Sequence, residues 1–79
     1  MKVTYVEPMD DYKLLVVFEN NEKKIFNVKP YIKGEWFGEL NDVNYFKQVK
    51  IDPLLHDTVV WPNEQDIAPH ELYELGHPI

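Results

Sequence analysis

The sequence contains no cysteine and no serine, and it has only three glycines among its 79 residues. Without cysteine there is no disulfide, no thiolate ligand for zinc and no thiol nucleophile. The lack of serine removes the most common hydroxyl nucleophile. Three scattered glycines are too few for a loop that cradles phosphate groups. We therefore expect a protein that is not an enzyme.

Long apolar segments are also missing. The longest apolar run covers residues 14–18, only five positions, whereas a membrane-spanning helix needs about 20. The first residues, Met1 to Tyr5, lack the apolar stretch of a signal peptide. A small chain without disulfides fits a reducing compartment. We expect a soluble, cytoplasmic protein that does not bind membranes.

Positive charge is in short supply, since 14 acidic residues face 8 basic ones and the net charge is −6. Such a chain repels a phosphate backbone and releases no counterions on meeting it. We expect no direct nucleic-acid binding. The acidity serves solubility, or it forms a face that complements a basic partner.

Metal ligands are few as well. The three histidines are His56, His70 and His77, and His70 is spaced four residues from Glu74, so that these two could share a metal with His77. Structural zinc sites usually use thiolates or more histidines at fixed spacing. Solvated side chains are the simpler interpretation, and we expect no metal and no cofactor.

What is present is apolar bulk, with 44% hydrophobic and 14% aromatic residues, which is enough for a folded core. The pattern predicts one α+β domain over residues 1–79, with the order β-β-β-α-β-β-α. Sequential strands joined by short turns favour a largely antiparallel sheet of about five strands, covered by two short helices. The predicted strands cover 2–7, 12–19, 22–29, 49–51 and 58–61, and the predicted helices run from 41 or 42 to 46 and from 69 to 75.

The register of the first long hairpin follows from its apolar pattern. A two-residue loop would place Glu19 opposite Glu22 and Leu14 opposite Asn27, which is unfavourable. A three-residue loop reverses the parity, so we prefer it. It predicts that one face of the sheet, packed under the helices, carries Leu14, Val16, Phe18, Phe26 and Val28.

Two segments stand out as candidate sites. In the first, Trp36 and Phe37 lie between Gly34 and Gly38, where they either cover the core or form an exposed aromatic anchor. The second runs from Trp61, at a predicted strand end, to the predicted start of the last helix. The candidate interaction residues are Trp36, Phe37, Trp61, Asp66 and Tyr73.

The second segment also has a structural interpretation, namely that it fastens the last helix to the sheet. Asp66 is expected to accept hydrogen bonds from turn amides. Pro69 suits the first turn of a helix, where its missing N–H has no partner to lose. On this interpretation Trp61, Leu72 and Leu75 are buried together.

The succession of these motifs resembles the bacterial family called domain of unknown function 2442 (DUF2442). The resemblance covers nearly the whole chain and is most specific from Trp61 to Tyr73. One departure is Glu64, where the family usually has glycine. The matching residues are Leu14, Val16, Phe18, Asn20, Glu22, Phe26, Phe46, Val49, Thr58, Val59, Trp61, Pro62, Asn63, Asp66, Ile67, Ala68, Pro69, Leu72 and Tyr73.

This resemblance implies a small α+β fold and no established activity. Some relatives carry a helix-turn-helix domain after this one; these 79 residues contain none, so we expect no inherited DNA-binding role. Relatives are often encoded beside another small protein, an arrangement that looks like a toxin and its antitoxin. The resemblance therefore implies a protein partner.

Two functions follow as hypotheses. The first is a protein-interaction or regulatory module, antitoxin-like in the sense just given, that binds a partner or a second copy of itself through an aromatic loop or a sheet edge. The expected edges are Val3 to Val6 and Thr58 to Trp61. The alternative is a domain that binds a small ligand in a pocket near Trp36 and Phe37.

Overall fold

Two antiparallel β-sheets form the framework of the protein, in a computed structural model that describes residues 1–79. The first sheet has four strands in the order β1-β2-β3-β7, and the second has three in the order β4-β5-β6. The strands are β1 Val3–Met9, β2 Lys13–Phe18, β3 Lys23–Asn27, β4 Lys50–Ile51, β5 Val59–Val60, β6 Asp66–Ile67 and β7 His77–Pro78.

Two short α-helices accompany the sheets, α1 at Val43–Phe46 and α2 at Pro69–Leu75. Asp42 caps α1, because its carboxylate accepts the backbone N–H of Asn44 at 2.9 Å. None of the helices has the length and apolar character that crossing a membrane requires. Three further turns are 3-10 helices, at Asp10–Tyr12, Lys29–Tyr31 and Phe37–Asn41.

The predicted register of the β2–β3 hairpin is confirmed. Leu14 pairs with Phe26, and the backbone N–H of Phe18 donates to the carbonyl of Glu22 at 3.0 Å across a three-residue loop. Asn21, the last loop residue, has φ 68°, the left-handed conformation that closes loops of this length. The hairpin therefore presents its more apolar face to the interior.

A single buried cluster joins both sheets and both helices. The alternation along β2 buries every second side chain, since Leu14, Val16 and Phe18 are fully covered while their neighbours are half-exposed. Helix α1 adds Phe46, and α2 adds Leu72. The cluster contains Val3, Leu14, Val16, Phe18, Phe26, Val28, Leu40, Phe46, Val59, Trp61, Ile67 and Leu72.

The α+β class and the antiparallel pairing are confirmed, but the strands form two sheets rather than one of five strands. Val3 to Val6 lies on an edge strand, as expected. The expectation that Thr58 to Trp61 is an edge is wrong, because β5 lies between β4 and β6. Strand β6, which was not predicted, pairs Ile67 with Val59 and covers that side.

The burial predicted for the last helix holds for Leu72 but not for Leu75, which is 59% exposed. Helix α2 has only seven residues, so that a single turn covers the core. Leu75 is its last residue and lies at a shallow cleft beside Phe26 and Tyr31. From Gly76 the chain is extended and enters β7.

Candidate functional site

The two segments singled out in the sequence meet in the structure. The indole N–H of Trp36 donates to the carbonyl of Asn63 at 2.9 Å. In return, the side-chain amide of Asn63 donates to both carboxylate oxygens of Glu39, at 2.8 and 2.9 Å. The segment that contains Trp36 is therefore fixed to the turn that follows β5.

Gln65 completes this junction from the interior, where its side chain is fully buried. Its amide nitrogen donates to the carbonyl of Trp36 and to the carboxylate of Glu39, both at 2.8 Å. Its amide oxygen accepts the Tyr45 hydroxyl at 2.8 Å, and that hydroxyl oxygen accepts the N–H of Asn63 at 2.8 Å. A buried amide with all these partners holds a unique arrangement of the loops around it.

Within the junction, Trp36 remains 51% exposed and Phe37 is half-buried. Their rings meet edge to face, with centroids 5.3 Å apart. The surface has four clefts, and neither residue lines any of them. No cleft therefore favours a ligand pocket at this pair.

Trp61 does not belong among the interaction residues, because it is only 1% exposed. Its indole N–H donates to the carbonyl of Phe46 at 2.9 Å, and the two rings lie 5.8 Å apart. Trp61 thus packs α1 against the second sheet, a structural role that differs from the predicted fastening of the last helix.

Asp66 is exposed on β6 and accepts no hydrogen bond from the neighbouring turn, so the expected contact with turn amides is wrong. The carboxylate that holds a turn is Asp52, which accepts the N–H groups of Leu54 at 2.9 Å and Leu55 at 3.4 Å. The turn after Trp61 is closed instead by Glu64, whose N–H donates to the Trp61 carbonyl at 2.9 Å. The carboxylate of Asp66 is consequently free for contacts with another molecule.

Tyr73 lies elsewhere, where α2 packs on β3. Its hydroxyl donates to Glu22 at 2.8 Å, and this hydrogen bond raises the pKa of the Tyr73 phenol. Its ring lies under the ammonium of the buried Lys24, 3.7 Å from the ring centroid. These contacts tie the helix to the sheet, so that Tyr73 is separate from the junction at Trp36.

A surface cleft of about 300 Å³ opens beside the turn after β5, and we call it the acidic cleft. Leu54, Val60, Trp61 and two prolines supply its apolar lining. Its charged lining consists of Lys50, Asp52, Glu64 and Asp66.

Two leucines make this region unusual. Leu54, which lines the acidic cleft, is 86% exposed, and its neighbour Leu55 is 64% exposed. They lie in the loop between β4 and β5. Adjacent exposed leucines beside a cleft are a feature of surfaces that another molecule covers.

Sequence reasoning missed these leucines and the junction residues Glu39 and Gln65. A signal for the leucines was present, since an apolar pair stands between the predicted strands 49–51 and 58–61, where short turns were expected. The contact between Glu39 and Gln65 carried no such signal, because the two residues are 26 positions apart and nothing in the sequence pairs them.

No group of three or more histidine, aspartate or glutamate side chains converges in a way that could hold a metal ion. His70, Glu74 and His77 are therefore not brought together as a ligand set. The candidate site offers apolar contact and negative charge.

Two small antiparallel sheets, two short helices and a hydrogen-bonded turn after a buried tryptophan define a small α+β domain. The chain belongs to the family described as protein of unknown function (DUF2442), whose model matches residues 3–78. Comparison with curated proteins and with solved structures found no match.

Proposed function

We propose that this domain is a non-catalytic protein-interaction module whose contact surface is the acidic cleft together with Leu54 and Leu55. The observation that carries the proposal is the exposure of these two leucines, 86% and 64%, at the cleft. Apolar side chains of this size gain about 25 cal/mol for each Å² that a partner removes from water. A protein partner would supply that cover.

The charged residues of the acidic cleft also support it as the contact surface. Three carboxylates and one ammonium line the acidic cleft, and the whole chain carries a net charge of −6. Complementary charge steers encounter and fixes orientation more than it adds affinity. The partner is accordingly a basic protein, and nucleic acid is not among the expected partners.

The regulatory or antitoxin-like role implied by the family resemblance is one form of this function. In that form the partner is the product of a neighbouring gene. Co-expression of the two proteins then yields a complex that dissociates as salt concentration rises, because ions screen the contacts at its rim.

The experiment is affinity capture with three forms of the tagged protein: wild type, Leu54→Ser with Leu55→Ser, and the control Leu75→Ser. Leu75 is also exposed, at 59%, but it lies away from the acidic cleft. We expect wild type and the control to retain a partner that the double variant loses. Circular dichroism melting verifies that all three forms fold.

Every captured protein is then purified and mixed with the three forms, so that direct binding is measured. Capture of the same proteins by all three forms would contradict the proposed surface. Failure of every candidate to bind in the purified system would contradict the proposed function itself.

A further inference from the structure

We propose that the acidic cleft holds an arginine or lysine side chain that the partner protein presents beside an apolar residue. This inference rests on the proposed function and specifies the chemistry of the contact. The cationic head meets the carboxylates, and the adjacent apolar residue packs on Leu54 and Leu55.

The available charge in the cleft is the first argument. Glu64 and Asp66 have no hydrogen-bond partner for their carboxylates, and the protein's two ion pairs, Lys24–Glu22 and Lys29–Asp11, lie elsewhere. An arriving cation therefore displaces no internal partner.

The cleft's own lysine does not neutralise Asp66. Lys50 on β4 pairs with Val60 on β5, and Val60 pairs with Asp66 on β6. The lysine and the aspartate thus lie on the same face with a strand between them, and their backbones are roughly 9–10 Å apart at the usual strand spacing. The side chain of Val60 lies between them on this face, and neither ion pair of the protein involves Lys50.

The apolar part of the lining explains why the cation belongs to a side chain with an aliphatic stem. Long basic side chains lay their methylene groups on apolar surface while the charged head stays in a polar environment. Val60 and Pro62 offer such a surface next to Glu64 and Asp66. Arginine fits best, because its planar guanidinium binds carboxylates with two parallel hydrogen bonds.

Size and surroundings favour a protein segment over a free cation. At about 300 Å³ the cleft is at the lower end of the range for small-molecule pockets. A free cation would also leave Leu54 and Leu55 uncovered, whereas a peptide that continues past its basic residue reaches them.

A display library of random 12-residue peptides, selected on the immobilised wild-type protein, tests the inference. We expect the selected peptides to be enriched in arginine or lysine next to leucine, isoleucine, valine or an aromatic residue. In ¹H–¹⁵N spectra of the protein, the selected peptides are expected to shift the resonances of residues 50–55 and 60–66.

Two matched variants distinguish the effect of charge in the acidic cleft from the effect of the protein's net charge. Glu64→Gln with Asp66→Asn and the control Asp10→Asn with Glu74→Gln both remove two negative charges. All four side chains are exposed. We expect at least tenfold weaker peptide binding in the first variant and less than a twofold change in the control.

Equal weakening in both variants would overturn the inference, as would selected peptides without basic residues or an empty selection. Peptides that bind a different surface would also overturn it while leaving the interaction function standing. Spermine and arginine amide are titrated separately, and binding by either as tightly as by the peptides would assign the cleft to a free cation instead. The proposed function is judged independently, by the capture and reconstitution experiment.

Discussion

Gly76 lies where the end of α2 approaches β3 most closely. A Cβ atom at this position would be 2.6 Å from the carbonyl oxygen of Leu72 and 3.0 Å from Cβ of Lys24. We predict that Gly76→Ala lowers the free energy of unfolding by about 1–3 kcal/mol, because backbone would have to move. Urea denaturation measures the change.

Gly38 provides the matched control. A Cβ atom there meets nothing within 4 Å, so that Gly38→Ala is expected to leave stability unchanged or to raise it by about 0.4–1 kcal/mol through the unfolded state. Similar losses in both variants would show that close approach is not the reason for glycine at position 76.

Two tyrosines predict how stability depends on alkaline pH. Burial and the hydrogen bond to Glu71 raise the pKa of Tyr31 above its ordinary value of 10.0, and the hydrogen bond to Glu22 raises the pKa of Tyr73. A raised folded-state pKa gives stability that is complete below the unfolded pKa and is lost as pH rises through the folded one. Stability is therefore expected to fall above about pH 10.

The measurement is urea denaturation at several pH values between 8 and 12, on wild type and on Tyr31→Phe with Tyr73→Phe. The double variant keeps the rings but cannot form phenolates, so its stability should fall less steeply than that of wild type. If the free energy of unfolding falls equally steeply with pH in both proteins, lysine titration or another process controls stability at alkaline pH.

Lys24 is a residue whose environment the sequence could not predict. It pairs with Val16 and shares the inner face of the first sheet, where a lysine is unusual. Its ammonium donates to the carbonyl of Tyr73 and lies over the Tyr73 ring. Alternation gives the face of Lys24, but the residue that accepts its hydrogen bond and lies under its ammonium, Tyr73, comes from α2, 49 residues later.

At the scale of elements, α2 contributes one buried turn, and the two leucines of the helix test this. Leu72 is fully buried, whereas Leu75 is exposed. We predict that Leu72→Ala lowers the free energy of unfolding by about 2–5 kcal/mol, and that Leu75→Ala changes it by less than about 0.5 kcal/mol.

Thermal or urea unfolding of the two alanine variants gives both numbers under one set of conditions. Because the substitution is the same and the positions are three residues apart, helix propensity largely cancels. A loss at Leu75 as large as that at Leu72 would contradict the exposed position of Leu75.

The junction between residues 36–39 and 63–65 depends on Gln65. Replacing it with alanine leaves the Trp36 carbonyl without its amide donor and the Tyr45 hydroxyl without its acceptor. We predict a loss of about 1–3 kcal/mol for Gln65→Ala. The indole N–H of Trp36 should also exchange with water faster, since its segment is no longer anchored.

Gln48→Ala is the control for this substitution, because Gln48 is exposed and makes one long hydrogen bond of 3.4 Å to Asn44. Denaturation and hydrogen exchange of both variants show whether Gln65 anchors the segment that contains Trp36. Unchanged exchange at Trp36 in the Gln65 variant would mean that the segment is held by other contacts.

The long elements were predictable, whereas of the two-residue strands β4 and β5 were predicted and β6 and β7 were not. Strands β1 to β3 have five to seven residues, enough for alternation to set both face and register. Proline at the first position and glycine after the last residue mark α2 in the sequence. Strands β6 and β7 have two residues each, a length at which no periodicity exists.

The candidate site was predictable to a similar degree. Aromatic residues and turn composition singled out both segments of the junction, but their contact depends on side chains such as Gln65 that become partners only after folding. The accessible residues differed from the expected ones: Trp61 is buried, and Leu54 and Leu55 are exposed. Two-residue strands leave little sheet to cover the 52–57 loop.

For the molecule as a whole, charge and apolar exposure coincide at one place. Of the exposed large apolar side chains, Leu54 is the most exposed, and it borders three carboxylates in a chain of net charge −6. Charge of one sign around an apolar contact suits a partner of opposite charge. This coincidence supports the proposed recognition of a basic protein.

The most direct test is chemical-shift mapping of the ¹⁵N-labelled protein against the purified partner that the capture experiment yields. We expect the largest shifts on residues 50–55 and 60–66, and we expect them to diminish as salt is raised from about 50 to about 500 mM at fixed partner concentration. Shifts concentrated on β1, on α2 or around Trp36 would contradict binding of a basic protein at the acidic cleft. Shifts that do not change with salt concentration would contradict it as well.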